Sequence, residues 1–298
     1  MNWYRQASPL KGIPGRGAPT LARADPTLNN NGHHCRIEEF MNRKLIAPVL
    51  IGILAFSSGA VAQESATPAV SSLRASLAAL LSRTAIEDVT LTGTAHVIAG
   101  SSDDNVPATL KALVDGSARV DLGFSSGTTS EAIIAGTPGP TGNWISSDGK
   151  QHALVPHNMM TDTAWFFPAF AISRMATNPA ITVVFVDQAD SMMHLQAYRK
   201  DSGTPPASGP NLQHLTQMDL YLDANTLLPA KLKYNIHPDQ NAAIDIPVTV
   251  EYSDYKTVNG VLLPHHLQKY LNNSLMQDIQ IQTVIFNSGL TDSALSAK

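Results

Sequence analysis

From about residue 86 to residue 286 the chain keeps returning to a period of two, and that most narrows what it can fold into. "VTLTGTAHVIAG" puts Val89, Leu91, Ala95 and Val97 on one face and threonines on the other. "ATLKALVDGSARVDLGF" reads as two strands joined at Asp115-Gly116, a hairpin turn pair. "EAIIAG" and "NWISSDGKQHALV" continue the series, the second turning at Asp148-Gly149. After a break come "ITVVFV" and "SMMHLQAYR", then the hairpin "QMDLYLDANTLLPAKLKYNIH". A further hairpin, "DIPVTVEYSDYKTVNGVLLPHHLQKYL", turns at Asn259-Gly260, and "DIQIQTVIF" is the last strand. Strands that alternate in this way have one wet and one dry face.

The dry face must be covered, and few segments can cover it. Residues 69–83 read as a helix, with Val70, Leu73, Leu77, Leu80 and Leu81 at helical spacing. The other is the break itself, "TDTAWFFPAFAISRMATNP". Pro168 suits the first position of a short helix, Ile172 and Met175 share its apolar side, and Asn178-Pro179 ends it. The expected fold is mainly β (α+β). A single strongly curved antiparallel sheet, a half-open barrel, wraps around an N-terminal helix and a short mid-chain helical insertion. The Pro/Gly-rich "DSGTPPASGPN" is a loop.

The first 62 residues follow another logic. "MNRKLIAPVLIGILAFSSGAVAQESA" starts at Met41 with Arg43 and Lys44, followed by the apolar run 45–56 and then Ala60-Val61-Ala62. This is the layout of a secretory signal peptide at 41–62, cut before Gln63. The run is about 18 Å long as a helix, at roughly 1.5 Å per residue, whereas a bilayer core takes about 30 Å. No transmembrane span is expected after processing. Residues 1–40 are rich in Pro, Gly, Arg and Asn and have no period, so they read as a disordered leader or a misassigned start. The codons of Glu38-Glu39 can spell a purine-rich ribosome-binding sequence just before Met41. The expected product is a periplasmic or secreted, monomeric domain of residues 63–298.

That domain carries 13 Lys and Arg against 21 Asp and Glu, a formal charge of −8, which disfavours nucleic acid as a partner. The single cysteine, Cys35, precedes the cut, so no disulfide, thiolate metal site or cysteine nucleophile is expected in the domain. Gly-x-Ser-x-Gly, His-Glu-x-x-His and calcium-loop motifs do not occur. Eight histidines are scattered along it, and the adjacent His265 and His266 point to opposite faces of a strand. Asp103-Asp104 reads as a turn. Neither a metal nor a cofactor is expected.

Two stretches, "LYLDANTLLPAKLKY" and "VEYSDYKTVNGVLLPHHLQKYLNN", carry a family resemblance. Asp223, Thr226, Leu228 and Pro229, then Asp254, Tyr255, Gly260, Leu263 and Pro264, resemble the closing strands of the LolA-like superfamily of periplasmic lipoprotein carriers and lipid-binding proteins. "LTGTAHV" and "FNSGLTDSAL" fit as well, although Leu295 stands where relatives often have an aromatic. The resemblance implies an apolar cavity between sheet and helices that holds acyl chains or serves as a protein-binding groove.

Trp165, Phe166 and Phe167 cannot all face one side of an extended chain. Either the segment is sandwiched on two sides or a ring lines a cavity. The expected ligand-binding set is Trp165, Phe166, Phe167, Phe170 and Met175, with Leu77 and Leu81 on the opposing helix. Seven methionines, among them Met159, Met192 and Met276, suit an adaptable interior. Three functions stay open. The first is a non-catalytic envelope protein carrying an acyl chain or lipidated partner. The others are an envelope adaptor that binds protein without lipid, and a secreted hydrolase built on a pair of carboxylates.

Overall fold

The computed structural model describes residues 67–161, 163–201 and 210–296. The leader, the signal segment 41–62 and the cleavage point before Gln63 lie outside them. Among the described residues no helix is long and apolar enough to cross a membrane.

Six strands come first: β1 (Asp88–Ala99), β2 (Ser102–Leu113), β3 (Ala118–Phe124), β4 (Gly127–Ile134), β5 (Thr141–Ile145) and β6 (Gln151–Ala153). Seven follow: β7 (Ile181–Ala189), β8 (Met192–Arg199), β9 (Met218–Asp223), β10 (Pro229–Ile236), β11 (Ile246–Val258), β12 (Val261–Leu271) and β13 (Ser274–Phe286). They make one antiparallel sheet of 13 strands in the order β6-β5-β4-β3-β2-β1-β13-β12-β11-β10-β9-β8-β7. Each half is a meander, and the first and last strands zip the halves together. The sheet stays open, with β6 and β7 as its edges. This is the expected curved, unclosed sheet.

Helix α1 (Pro68–Leu81) starts where the sequence places it. Thr67 caps it by accepting from the Val70 amide at 3.3 Å, and Pro68 occupies the first turn. Leu73 and Leu80 are fully buried, while Leu77 and Leu81 are half-buried against the same core. Helix α2 (Pro168–Thr177) lies in the chain that links the two edge strands. It buries Phe170, Ile172 and Met175. With the sheet's inner face these two helices form one continuous core.

The turn chemistry is equally direct. Val258 pairs with Val261, and Asn259 and Gly260 both take positive φ, 50° and 83°. Asp223 Oδ1 accepts from the amides of Asn225 and Thr226 and from the Thr226 hydroxyl at 2.8–3.0 Å, closing the β9–β10 turn. Asp103-Asp104 is a correction. Ala99 pairs with Ser102, so Gly100-Ser101 makes the turn and both aspartates extend β2. The pattern also passed over α3 (Leu212–Thr216), α4 (Asp292–Leu295) and a 3₁₀ turn (Pro156–Met159), which are too short to show a period.

The chain's end is tied back through Asp88, which is 3 % exposed. It accepts from the Ser288 amide and hydroxyl, each at 2.9 Å, from Gly289 N at 2.8 Å and from Leu290 N at 3.2 Å. Burial opposes its ionisation, but these hydrogen bonds outweigh that and hold its pKa below 3.8. A lowered carboxylate pKa stabilises the fold above the ordinary value, and that stability is lost as pH falls through the lowered one. Asp88→Asn is therefore expected to cost about 1–3 kcal/mol at neutral pH, since it turns an acceptor against donors. The gap from wild type in urea midpoint should shrink below about pH 4. A gap that is constant from pH 7 to pH 3 would contradict this account.

Candidate functional site

A cleft opens on the core-bearing face of the sheet, between its two halves. Val120 and Leu122 of β3, Ile133 of β4 and Trp144 and Ile145 of β5 form one wall. Ile236 of β10, Val248 of β11, Leu271 of β12 and Met276 of β13 form the other. It holds about 120 Å³ for water centres. One water needs roughly 10–15 Å³ of such space, so the cleft admits on the order of ten waters, or an apolar group of similar bulk.

Polar side chains share the lining: Thr129, Ser130, Asn158, Thr161, Thr163 and Tyr234 accompany Glu131, Lys269 and Gln277. Lys269 follows Val261, Leu263, His265 and Leu267 at period two along β12, so it stands on the inner face of the sheet. Its Nζ lies 4.5 Å above the Trp165 ring, a cation–π contact. Loss of water lowers its pKa, and the charge of Glu131, also in the lining, opposes that shift. The two charges are not in ion-pair contact, and among the described residues neither has another ion-pair partner. Beside Lys269, paired with it across the strands, is Gln277. Its Oε1 is buried and has no hydrogen-bond partner. Among the described residues the lining carries one carboxylate, Glu131.

A β-bulge sets this geometry. Lys269 pairs with Gln277 but Tyr270 pairs with Leu275, so Met276 is the extra residue. In a regular strand Met276 and Gln277 would face opposite ways, whereas here both line the cleft.

The aromatic segment does not run as an extended chain. Phe167 N donates to Ala164 O at 2.9 Å and Phe170 N to Phe167 O at 3.1 Å, so it turns directly into α2. The alternation that would split the rings between faces therefore does not apply. Trp165, Phe166, Phe167 and Phe170 are all at least 95 % buried. Phe167 meets Phe170 edge-on at 4.8 Å, and Trp165 meets Phe166 at 5.6 Å. Tyr252 fixes the turn by donating its hydroxyl to Trp165 O at 2.7 Å.

Of the seven residues expected to bind ligand, Trp165 lines the cleft. Phe166, Phe167, Phe170 and Met175 sit in the main core, and Leu77 and Leu81 pack half-buried against it from α1. Sequence reasoning passed over Lys269, Glu131 and Gln277. A lysine on the inner register of β12 and a glutamine on that of β13, in step with Ile279 and Ile281, were the available signals, whereas Glu131 needed the sheet order.

No family model matches the chain, and no curated protein matches it. Among solved structures it is similar to a putative outer membrane lipoprotein-sorting protein domain from Vibrio parahaemolyticus. The identity there is 11 %, with 76 % of this chain and 95 % of that one covered, at a TM-score of 0.48. A LolA superfamily protein from Nitrosomonas europaea is similar at 11 % identity, 78 % and 99 % coverage and a TM-score of 0.49. A DUF1329 family protein from Desulfovibrio piger is similar at 10 % identity, 77 % and 99 % coverage and a TM-score of 0.47. Each likeness is one of chain course at very low identity.

Proposed function

We propose that the chain is an exported envelope protein that binds the acyl chain of a lipidated peptide and catalyses no reaction. The cleft carries this reading, because apolar side chains from both halves of the sheet line it together with Lys269, Glu131 and Gln277. Each methylene taken from water contributes about 0.8 kcal/mol, so a chain of ten gives on the order of 8 kcal/mol before the costs of association. The polar cluster selects the head. Lys269 offers a charged donor, while Gln277 Oε1 and Glu131 offer acceptors. An acylated peptide brings both carbonyls and N–H groups to such a cluster, whereas an ionised fatty acid brings acceptors only. The signal-like segment 41–62 supports export.

Trp165 is the sequence-derived residue that this reading sets against the ligand. Phe166, Phe167, Phe170 and Met175 hold its turn in place. Protein purified from the envelope without detergent is expected to show acylated species by native mass spectrometry and after organic extraction. Uniformly ligand-free protein that binds neither a palmitoylated peptide nor palmitate would end the proposal.

One observation favours the adaptor as a second reading. Edge strand β7 leaves Phe185 and Val186 each 45 % exposed. An unpaired edge with apolar side chains can take a partner strand. Under that reading partner binding is lost in Phe185→Lys while acyl binding is absent throughout.

A further inference from the structure

Away from the cleft, the fold gathers three side chains that the sequence keeps apart. His214 lies in the short helix α3, His237 directly follows β10 and Asp245 directly precedes β11. One ring nitrogen from each histidine and one Asp245 oxygen all lie within 4.8 Å of one another. His214 Nε2 is 2.9 Å and His237 Nδ1 3.4 Å from Asp245 Oδ1.

These groups are close without satisfying each other. His214 Nε2 is buried and makes no hydrogen bond despite its nearness to the carboxylate, which lies off the line the ring would need. His237 has a fully buried side chain, and its Nε2 also has no hydrogen-bond partner among the described residues. Its Nδ1 is 3.1 Å from Ile244 O, a carbonyl that can only accept, so Nδ1 carries the proton and Nε2 a free lone pair. A buried polar atom left unbonded is costly, and here two stand in one cluster.

The surroundings hold His237 as a ligand would be held. Asn158 clamps its backbone, accepting from His237 N at 2.8 Å and donating to His237 O at 2.7 Å. A ring N–H on a backbone carbonyl is the usual outer contact of a metal-bound histidine. His157 packs edge-on at 5.9 Å, and its Nε2 is taken by Pro238 O at 3.2 Å.

We propose that His214, His237 and Asp245 form a binding site for a divalent first-row transition ion, zinc foremost. Bonds of about 2.0–2.2 Å in a tetrahedron set donor atoms about 3.3–3.5 Å apart; here His214 Nε2 and Asp245 Oδ1 stand 2.9 Å apart, and one donor atom of each of the three side chains lies within 4.8 Å of the others. Two imidazoles and a carboxylate with no thiolate suit Zn²⁺, Co²⁺, Ni²⁺ and Cu²⁺ over Mg²⁺ or Ca²⁺. Three protein ligands leave one position open. His214 and Asp245 also line a polar opening with Gln217, Asp219 and Lys233, which gives the ion a way in from solvent. Bound there, it would tie α3 to the β10–β11 connection.

The test uses the untagged protein, stripped with chelator and titrated with Zn²⁺ by calorimetry and with Co²⁺ by visible absorption. One equivalent of Zn²⁺ at micromolar affinity or tighter is expected, with Co²⁺ bands of tetrahedral strength. His214→Gln and Asp245→Asn alter part-exposed side chains, so both should keep the metal-free fold by circular dichroism. Each should weaken binding at least about tenfold. Absence of saturable binding would overturn the proposal. So would wild-type affinity in both variants, because the ion would then sit elsewhere, for example at His96, His194 or His266.

Discussion

Gly93→Val is expected to cost about 3–5 kcal/mol, a large share of the roughly 5–15 kcal/mol by which an ordinary domain is stable. Gly93 lies in β1, where it faces Ile281 of β13 next to the register shift at Thr92. A Cβ built there would stand 1.9 Å from Gln280 O and 2.9 Å from Gln280 C. Both atoms are backbone, so no rotamer change relieves the clash, and the strands must part. The β1–β13 pair is the seam that joins the two meanders, and the cleft lies between walls drawn from both of them. A change there should therefore remove ligand binding together with stability. Gly123→Ala is the control, since its added Cβ would come no nearer than 3.8 Å to its surroundings. Urea unfolding of both variants decides the matter. A Gly93→Val midpoint equal to that of Gly123→Ala would mean that the seam is not packed as described.

The seam also shows where the sequence could be read and where it could not. Strand identity came from period two, and the hairpins came from Asp-Gly and Asn-Gly pairs, because both signals are local. The pairing of the first strand with the last is not local, and nothing in "LTGTAHV" names its partner. The same limit applies to the site. Trp165 was legible as an aromatic needing a place, but its neighbours were assigned on the premise of an extended chain, which the turn at residues 164–167 removes. Lys269 was legible in principle, because it shares the inner register of β12 with Val261 and Leu263. Gln277 shares the inner register of β13 with Ile279 and Ile281 in the same way, whereas Met276 was not legible, because the one-residue bulge there turns it to that face. The histidines of α3 and β10 looked scattered for the same reason. They are 23 positions apart in sequence, and only the sheet order brings them together.

Lys269→Met is expected to weaken binding of a palmitoylated peptide about 10- to 150-fold while leaving the fold in place. The methionine keeps the length and apolar stem of the side chain, so the packing against Trp165 largely persists. What disappears is one charge-assisted hydrogen bond, worth about 1.5–3 kcal/mol, and about 1.4 kcal/mol corresponds to a factor of ten. Removing a desolvated ammonium also relieves a cost, since loss of water already lowers its pKa. The unfolding midpoint should accordingly stay level or rise. Glu131→Gln separates the two charges of the cleft. If the lysine acts on the ligand's carbonyls, this change leaves affinity within a few-fold. If the lysine matters only as a partner to Glu131, the double variant should restore what the single one lost. Titration of the four proteins with the same peptide, followed by the fluorescence of Trp144 and Trp165, distinguishes these outcomes. Equal affinity in wild type and Lys269→Met would remove the polar cluster from the binding site and leave an apolar cleft without a means of choosing its head group.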